Sequence, residues 1–176
     1  MLSLRPRTGD DCPLIVSWVP DTHALYLFAG LRLRWPLNVD QLTESEQTPG
    51  HTAWVAVNTS SEPVGQFELT THEGYAHLGR VLLDPAVRGR GLAHELVRLA
   101  VAKAHALGAT SIGLNVATGN EPAVRTYERA GFVETEQQPA DASRTMVLKP
   151  SAAIELPAAH APFDKRPAQQ LTQRYP

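Results

Sequence analysis

The residue types with the plainest chemistry lie between Val81 and Ala93, where Val81-Leu82-Leu83-Asp84-Pro85 runs into Arg88-Gly89-Arg90-Gly91-Leu92-Ala93. An apolar, strand-like run feeds a turn with two glycines, and a helical period begins directly behind it. Glycine lets backbone N–H groups approach a ligand closely, and the first turn of a helix offers unpaired donors and the positive end of its dipole. Arg88 and Arg90 add local cationic charge. Such a combination suits a phosphate or pyrophosphate held mainly by main chain. The Lys-Ser/Thr of a P-loop is missing, and no acidic residue follows a second strand as a dinucleotide fingerprint requires. The competing interpretation is an ordinary strand-to-helix turn with solvated arginines.

A second constellation follows downstream. Asn120 is placed to cap a helix that carries Pro122 in its first turn and stops at Gly131. Tyr127 falls seven residues after Asn120, about two turns along one face. Its hydroxyl could serve as an acid, and its ring could equally be an aromatic anchor of the helix.

These groups need a scaffold. Thr8-Gly9-Asp10-Asp11 reads as the cap of a short helix toward Trp18, and an apolar stretch from His23 to Leu33 follows Pro20-Asp21. From His51 the period changes to two: residues 52–57, 64–70 and 76–83 alternate and are separated by turn-rich segments, an antiparallel meander. Leu92, Leu96, Leu99, Ala100, Ala104 and Leu107 then mark one stripe of a long amphipathic helix ended by Gly108. Residues 111–116 read as a strand, Glu121 to Ala130 as a second helix, and 132–138 with 144–148 as a closing hairpin. The order meander, helix, strand, helix implies a mixed sheet with helices packed on it.

The strand ending in Val81-Leu82-Leu83-Asp84-Pro85, the Arg88-to-Ala93 turn with its helix, and the run Leu114-Asn115-Val116 through Asn120, Ala123, Tyr127-Glu128 and Gly131-Phe132 resemble the GNAT superfamily of acyl-CoA-dependent N-acyltransferases. The resemblance covers residues 50 to 149 well, and the first fifty in outline. It implies an α/β (α+β) fold with a mixed, mostly antiparallel sheet of about six to seven strands, flanked by helices and splayed at the fourth strand. It implies one acyltransferase domain over 1–149, with an acceptor-side helical region at 1–50 and a cofactor-binding core at 51–149, followed by a tail at 150–176.

By the same resemblance, acetyl-CoA is the co-substrate and no metal is needed. Backbone amides of Arg88, Gly89, Arg90, Gly91, Leu92 and Ala93 would hold the pyrophosphate. Main-chain groups along Val81-Leu82-Leu83, chiefly those of Val81 and Leu83, would pair with the pantetheine arm as an added strand does. Asn120 would bond to the cofactor, and Tyr127 would face the thioester sulfur.

The chemistry sets its own demands. An attacking amine must be uncharged, and a lysine side chain with pKa roughly 10.4 is harder to deprotonate than an α-amino group near 8. A base is required, acting directly or through water. The developing oxyanion needs a donor, for which the Val81 N–H is the candidate, and the departing thiolate gains from an acid such as Tyr127. Positioning both substrates in line can contribute about 7 kcal/mol with no covalent enzyme intermediate. Where many family members carry Glu, eleven residues before Arg88, this chain has His77. Histidine near pKa 6.5 can take the proton, with Glu68, His72 and Glu73 as rivals. A catalytically silent acyl-CoA sensor of the same fold, and a nucleotide- or phosphosugar-binding domain, are the alternatives.

Composition narrows the field. The 176 residues are 43% hydrophobic and 19% charged, and 16 Lys+Arg against 18 Asp+Glu leave a formal charge of -2. No global positive field is available for nucleic acid or an anionic membrane. Cys12 is the only cysteine, so neither an intrachain disulfide nor a Cys-rich zinc site can form, and it reads as a small apolar residue. With no membrane-spanning run or signal-peptide core in view, a cytoplasmic protein is expected. Asp21, His23, Trp35, Asp40, Glu44 and Glu46 lie where the family's acceptor pocket is walled, and a small-molecule or peptide amine is the expected acceptor. Trp18, Trp35 and Trp54 are read as core. The Pro- and Ala-rich tail reads as extended chain or as an arm across a second subunit of a homodimer.

Overall fold

Short turns join three β-rich segments, so they pair in chain order: β2 (His51–Val57), β3 (Pro63–His72) and β4 (Tyr75–Leu83). The computed structural model describes residues 1–135 and 143–148. Outside the meander lie β1 (Ser3–Pro6), β5 (Ser111–Ala117), β6 (Phe132–Glu134) and β7 (Ser143–Leu148). The seven strands form one sheet in the order β1-β2-β3-β4-β5-β7-β6. Every pairing is antiparallel except β4 with β5. That parallel step needs a crossover, supplied by α4 (Leu92–Ala106). The mixed, mostly antiparallel sheet is as expected; β1 is an addition, a four-residue edge strand that ends on Pro6. The expected hairpin residues 136–138 and the tail at 150–176 lie outside the described residues.

Helices cover both faces. On one side α4 and α5 (Glu121–Arg129) pack over Phe67, Leu69, Leu78, Ile112 and Leu114. Leu96, Ala100 and Ala104 are fully buried along the α4 stripe, whereas Leu107 sits past the helix end and is exposed. On the other side α1 (Cys12–Ser17), α2 (Thr22–Ala29) and α3 (Val39–Thr43) enclose Ile15, Trp18, Phe28 and Leu42 against Val55, Val57 and Leu82. Each such Leu or Phe contributes roughly 1.5–3 kcal/mol through burial. Cys12 is fully buried in this second cluster. Trp35, in contrast, is 46% exposed, and Trp54 is half-buried with Lys103 Nζ 3.7 Å from its ring centroid. Among the described residues no helix is long and apolar enough to cross a membrane.

The entry to α1 is held by Asp11. Its carboxylate accepts two bonds from Arg5, at 2.6 and 2.7 Å, and one from the Thr8 N–H at 2.8 Å. Chiefly through the Arg5 bond, and against burial, the Asp11 carboxyl is pushed down to about 2. A depressed carboxyl contributes stability that is complete above the unfolded value of 3.8 and is lost as pH falls toward about 2. The shift bounds this at about 2 kcal/mol, and solvent around the 38%-exposed Arg5 side chain reduces it to about 1. Asp11→Asn should therefore lower stability at pH 7 by about 1 kcal/mol and flatten the loss between about pH 4 and 2 in denaturant titrations.

Candidate active site

β4 and β5 are paired only from Tyr75↔Ser111 to Leu78↔Leu114, yet β4 continues to Leu83 and β5 to Ala117. The two strands fork. The cause is an extra residue in β4: the β3 partners step from Glu68↔Gly79 to Gln66↔Leu82, so Phe67 stands opposite both Arg80 and Val81. Arg80 takes a left-handed backbone, with φ of 48°. A bulge of this kind bends its strand and raises the local twist, which turns the end of β4 away from β5.

Beyond the bulge the free edge is defined by alternation. The Asp84 N–H donates to Val64 O at 3.0 Å, which directs the even-numbered main-chain groups to β3. Those of Val81 and Leu83 consequently face the side from which β5 has withdrawn. Leu82 points the other way, with its main chain on β3 and its side chain buried in the α1–α3 cluster, so it frames the site without lining it. The Leu83 carbonyl is itself engaged by Arg88, whose Nε and Nη2 donate to it at 3.2 and 3.0 Å. What remains unpaired on this edge is therefore weighted toward the N–H groups, and Arg88 is turned back on its own strand.

At the turn, Asp84 accepts from the Ala86 N–H at 2.8 Å and starts a short 3-10 turn over Pro85–Val87. Gly89 and Gly91 follow with φ of 77° and 78°, and a Cβ built on either meets nothing within 4 Å. They are there for left-handed backbone and open space, not to avoid a clash. Gly91 caps α4 and has no side chain to offer. The N-termini of α2, α3 and α5 are each closed by the side chain of Asp21, Asn38 or Asn120. The donors of the first α4 turn, including Leu92 and Ala93, have no such partner and remain available to an anion.

Asn120 Oδ1 accepts from the Ala123 N–H at 3.4 Å, and its Nδ2 reaches Leu27 O of α2 at 3.5 Å. The residue thus joins the start of α5 to α2, which packs against both arms of the fork. Tyr127 lies on α5 in the same apolar cluster as Leu83, with Val81 and Leu92 packed against it. Its ring meets Phe132 edge-on at 5.9 Å, and its hydroxyl has no hydrogen-bond partner among the described residues. Burial pushes the phenol well up, so it stays protonated and able to donate.

His77 sits on β4 one pair before the fork closes, opposite Thr70 and Gly113. Ala76 and Leu78 face the α4 side, so His77 faces the α2 side. It is half-buried without a hydrogen bond among the described residues. Burial, followed by the charge of Arg32, holds its conjugate acid below the ordinary histidine value. The rivals fare differently. Glu68 is buried and bonded to Arg7, Arg80 and His51, with no free lone pair aimed at a substrate. His72 and Glu73 are exposed on the β3–β4 turn, at the far end of β4 from the fork.

Of the acidic residues expected around the acceptor, Asp21 caps α2 and Glu46 is paired with Arg7 at 2.8 Å. Asp40 and Glu44 line an open groove of about 510 Å³ together with Arg34, Asn38 and Gln41, so that wall is mixed in charge. Among the described residues no group of three or more His, Cys, Asp or Glu could hold a metal ion. The residues that spacing did not reveal are Arg7 and Arg80, which meet Glu68 from 61 and 12 positions away, and Gln66, which links Arg7 to the Arg80 carbonyl.

Free N–H groups on a splayed strand, leading into an uncapped helix N-terminus, suit a long ligand with amides at one end and a diphosphate at the other. An acyl-CoA thioester has that form, and these features place the protein among the acyl-CoA-dependent N-acyltransferases, with acetyl-CoA as co-substrate. Comparison with known proteins gives the family: the model of the acetyltransferase (GNAT) family matches residues 20–132, and the chain belongs to that family. It is 33% identical over 138 residues to the peptidyl-lysine N-acetyltransferase YjaB of Escherichia coli (strain K12), covering 78% of this chain and 85% of the relative. Its fold is similar to spermidine N-acetyltransferase from Vibrio cholerae in complex with CoA and spermine, with a TM-score of 0.70 at 21% identity over 84% of this chain and 94% of that one. An aminoglycoside acetyltransferase in complex with coenzyme A and kanamycin is similar too, with a TM-score of 0.67 at 22% identity and the same coverage.

Proposed function

We propose that this enzyme transfers the acetyl group of acetyl-CoA directly to a primary amine within a ternary complex. The observation that carries this reading is the fork between β4 and β5, with the main-chain groups of Val81 and Leu83 turned into it. The Leu83 N–H and the Val81 main chain pair with the pantetheine arm. Amides of residues 89–93 hold the diphosphate, whereas the Arg88 N–H, expected to join them, closes the 3-10 turn on Pro85 O at 3.4 Å. The Val81 N–H donates to the acyl oxygen as negative charge develops there, and Tyr127 Oη delivers its proton to the departing sulfur. Asn120 keeps α5, and with it Tyr127, in register with α2. A primary amine is the chemistry shared by a peptidyl lysine, spermine and kanamycin, the groups named for the relative and the two similar structures.

His77 takes the proton of the attacking amine, directly or through water. Because its conjugate acid is held below 6.5, the neutral base persists into mildly acidic solution. The acid limb of kcat/KM should therefore fall below pH 6.5, since protonation of the imidazole is what removes the base. His77→Gln should lower kcat/KM about a hundredfold near neutral pH and erase that limb. Retention of both would assign the proton to water or another group.

The deciding experiment is a thiol-release assay with acetyl-CoA against a panel of primary amines, repeated with Tyr127→Phe. Turnover that falls in the variant supports the enzyme. Tight cofactor binding without turnover on any amine would instead make the protein an acyl-CoA sensor.

A further inference from the structure

The bulge that opens the fork is held by side chains that take no part in the chemistry above. Arg80 carries a Cβ in left-handed backbone, which is strained for any residue but glycine. Two anchors keep it there. The Arg80 carbonyl accepts from Gln66 Nε2 at 3.0 Å, and Gln66 Oε1 in turn accepts from Arg7 Nη1 at 2.8 Å, which orients the amide. The Arg80 guanidinium donates through Nη1 to Ser45 Oγ at 3.0 Å and Leu42 O at 3.2 Å, and lies 3.4 Å from the Glu68 carboxylate.

Glu68 is 5% exposed and is charged because its surroundings make it so. Burial, the largest influence, pushes its carboxyl up, but the His51 bond and the charges of Arg80 and Arg7 together hold it below the usual value. Arg7 Nη1 donates to it at 2.8 Å and His51 Nε2 at 3.0 Å. A buried ionic network of this kind is poor evidence of stabilisation, because a well-packed apolar filling is often as stable or more so. What an apolar filling could not do is grip the carbonyl and the side chain of one left-handed residue.

We propose that Arg80, fixed by Gln66 and Glu68, is a positioning residue for acetyl-CoA. It holds the β4 bulge in the form that keeps the fork open, and through Leu42 and Ser45 it fastens that strand to the acceptor-side segment. This rests on the reading that the fork receives the pantetheine arm.

The test compares Arg80→Ala with Arg80→Gly in the full chain, by calorimetry with coenzyme A and by steady-state kinetics. Both variants lose the guanidinium, but only glycine adopts the left-handed backbone freely. Arg80→Ala should bind coenzyme A about tenfold more weakly, with KM for acetyl-CoA raised in step and kcat at saturation within about threefold. Arg80→Gly should regain most of that affinity. A purely structural ion pair would leave the two variants alike, and equal affinities, lowered or unchanged, would overturn the proposal. Should Arg80→Ala fail to fold, Ser45→Ala removes one anchor, with the bond that Ser45 Oγ donates to Glu68 Oε2 at 3.1 Å, and leaves the buried charges in place. It should weaken coenzyme A about threefold in a chain that still folds, and wild-type affinity would overturn the proposal. Gly91→Glu separates the two claims: if it retains coenzyme A, the fork and turn are not the cofactor site. If it loses coenzyme A while both Arg80 variants bind as wild type, only the positioning role fails.

Discussion

Gly91→Glu should abolish coenzyme A binding in a chain that still folds. A Cβ at Gly91 meets nothing within 4 Å, so the substitution introduces no clash. Left-handed backbone at φ 78° costs a residue with a Cβ about 1–2 kcal/mol, but a carboxylate at a helix N-terminus returns about 0.3–1 kcal/mol, so most of the stability survives. The ligand sees the opposite sign. A unit negative charge about 4 Å from a phosphate charge costs roughly 4 kcal/mol at the effective dielectric of a protein surface, close to a thousandfold in affinity. It also takes up the α4 donors that the diphosphate needs. Gly91→Ala is the control, since it shares the backbone strain without the charge and should weaken binding only a few-fold. Calorimetric affinity for Gly91→Glu within about threefold of wild type would put the diphosphate elsewhere.

Tyr127→Phe should lower kcat by about 10²–10⁴-fold, the range of general acid catalysis, with KM for acetyl-CoA within about threefold. The structure also predicts what happens to stability. The Tyr127 ring is buried, its hydroxyl makes no hydrogen bond among the described residues and is not closed off from solvent, and the edge-on contact with Phe132 needs only the ring. Tm should therefore hold while turnover collapses. Nothing in the packing requires the oxygen, which accords with the acid role proposed for it. Because burial raises the phenol pKa, the basic limb of the pH profile should not come from this residue. Unchanged kcat in the variant would leave the thiolate to depart without an acid.

Those two residues were also the easiest to find, and for a local reason. The Arg88-to-Ala93 turn is specified within six positions, since two glycines with positive φ and the helix behind them need no distant partner. Asn120 and Tyr127 are set by one cap and two helical turns. Strand β1 escaped because four residues ending in proline carry too little alternation to register, although β2 pairs with all of them. Trp35 was assigned to the core by its size and lies at the surface. Glu68 looked like a rival base because its partners cannot be read from its neighbours: Arg7 comes from the other end of the acceptor-side region, 61 positions away.

The amino-acid sequence by itself determined the alternation that builds the meander, the period of α4 and the glycine turn between them, each a property of a few consecutive residues. Only the tertiary structure decided which carboxylate is free and which is bound, that Leu82 faces away from the fork while Val81 and Leu83 face into it, and that Arg80 bears the bulge. Those outcomes depend on strand register and on charges brought together through the core, and a one-residue shift in β4 would turn Leu82 into the fork and Val81 and Leu83 out of it.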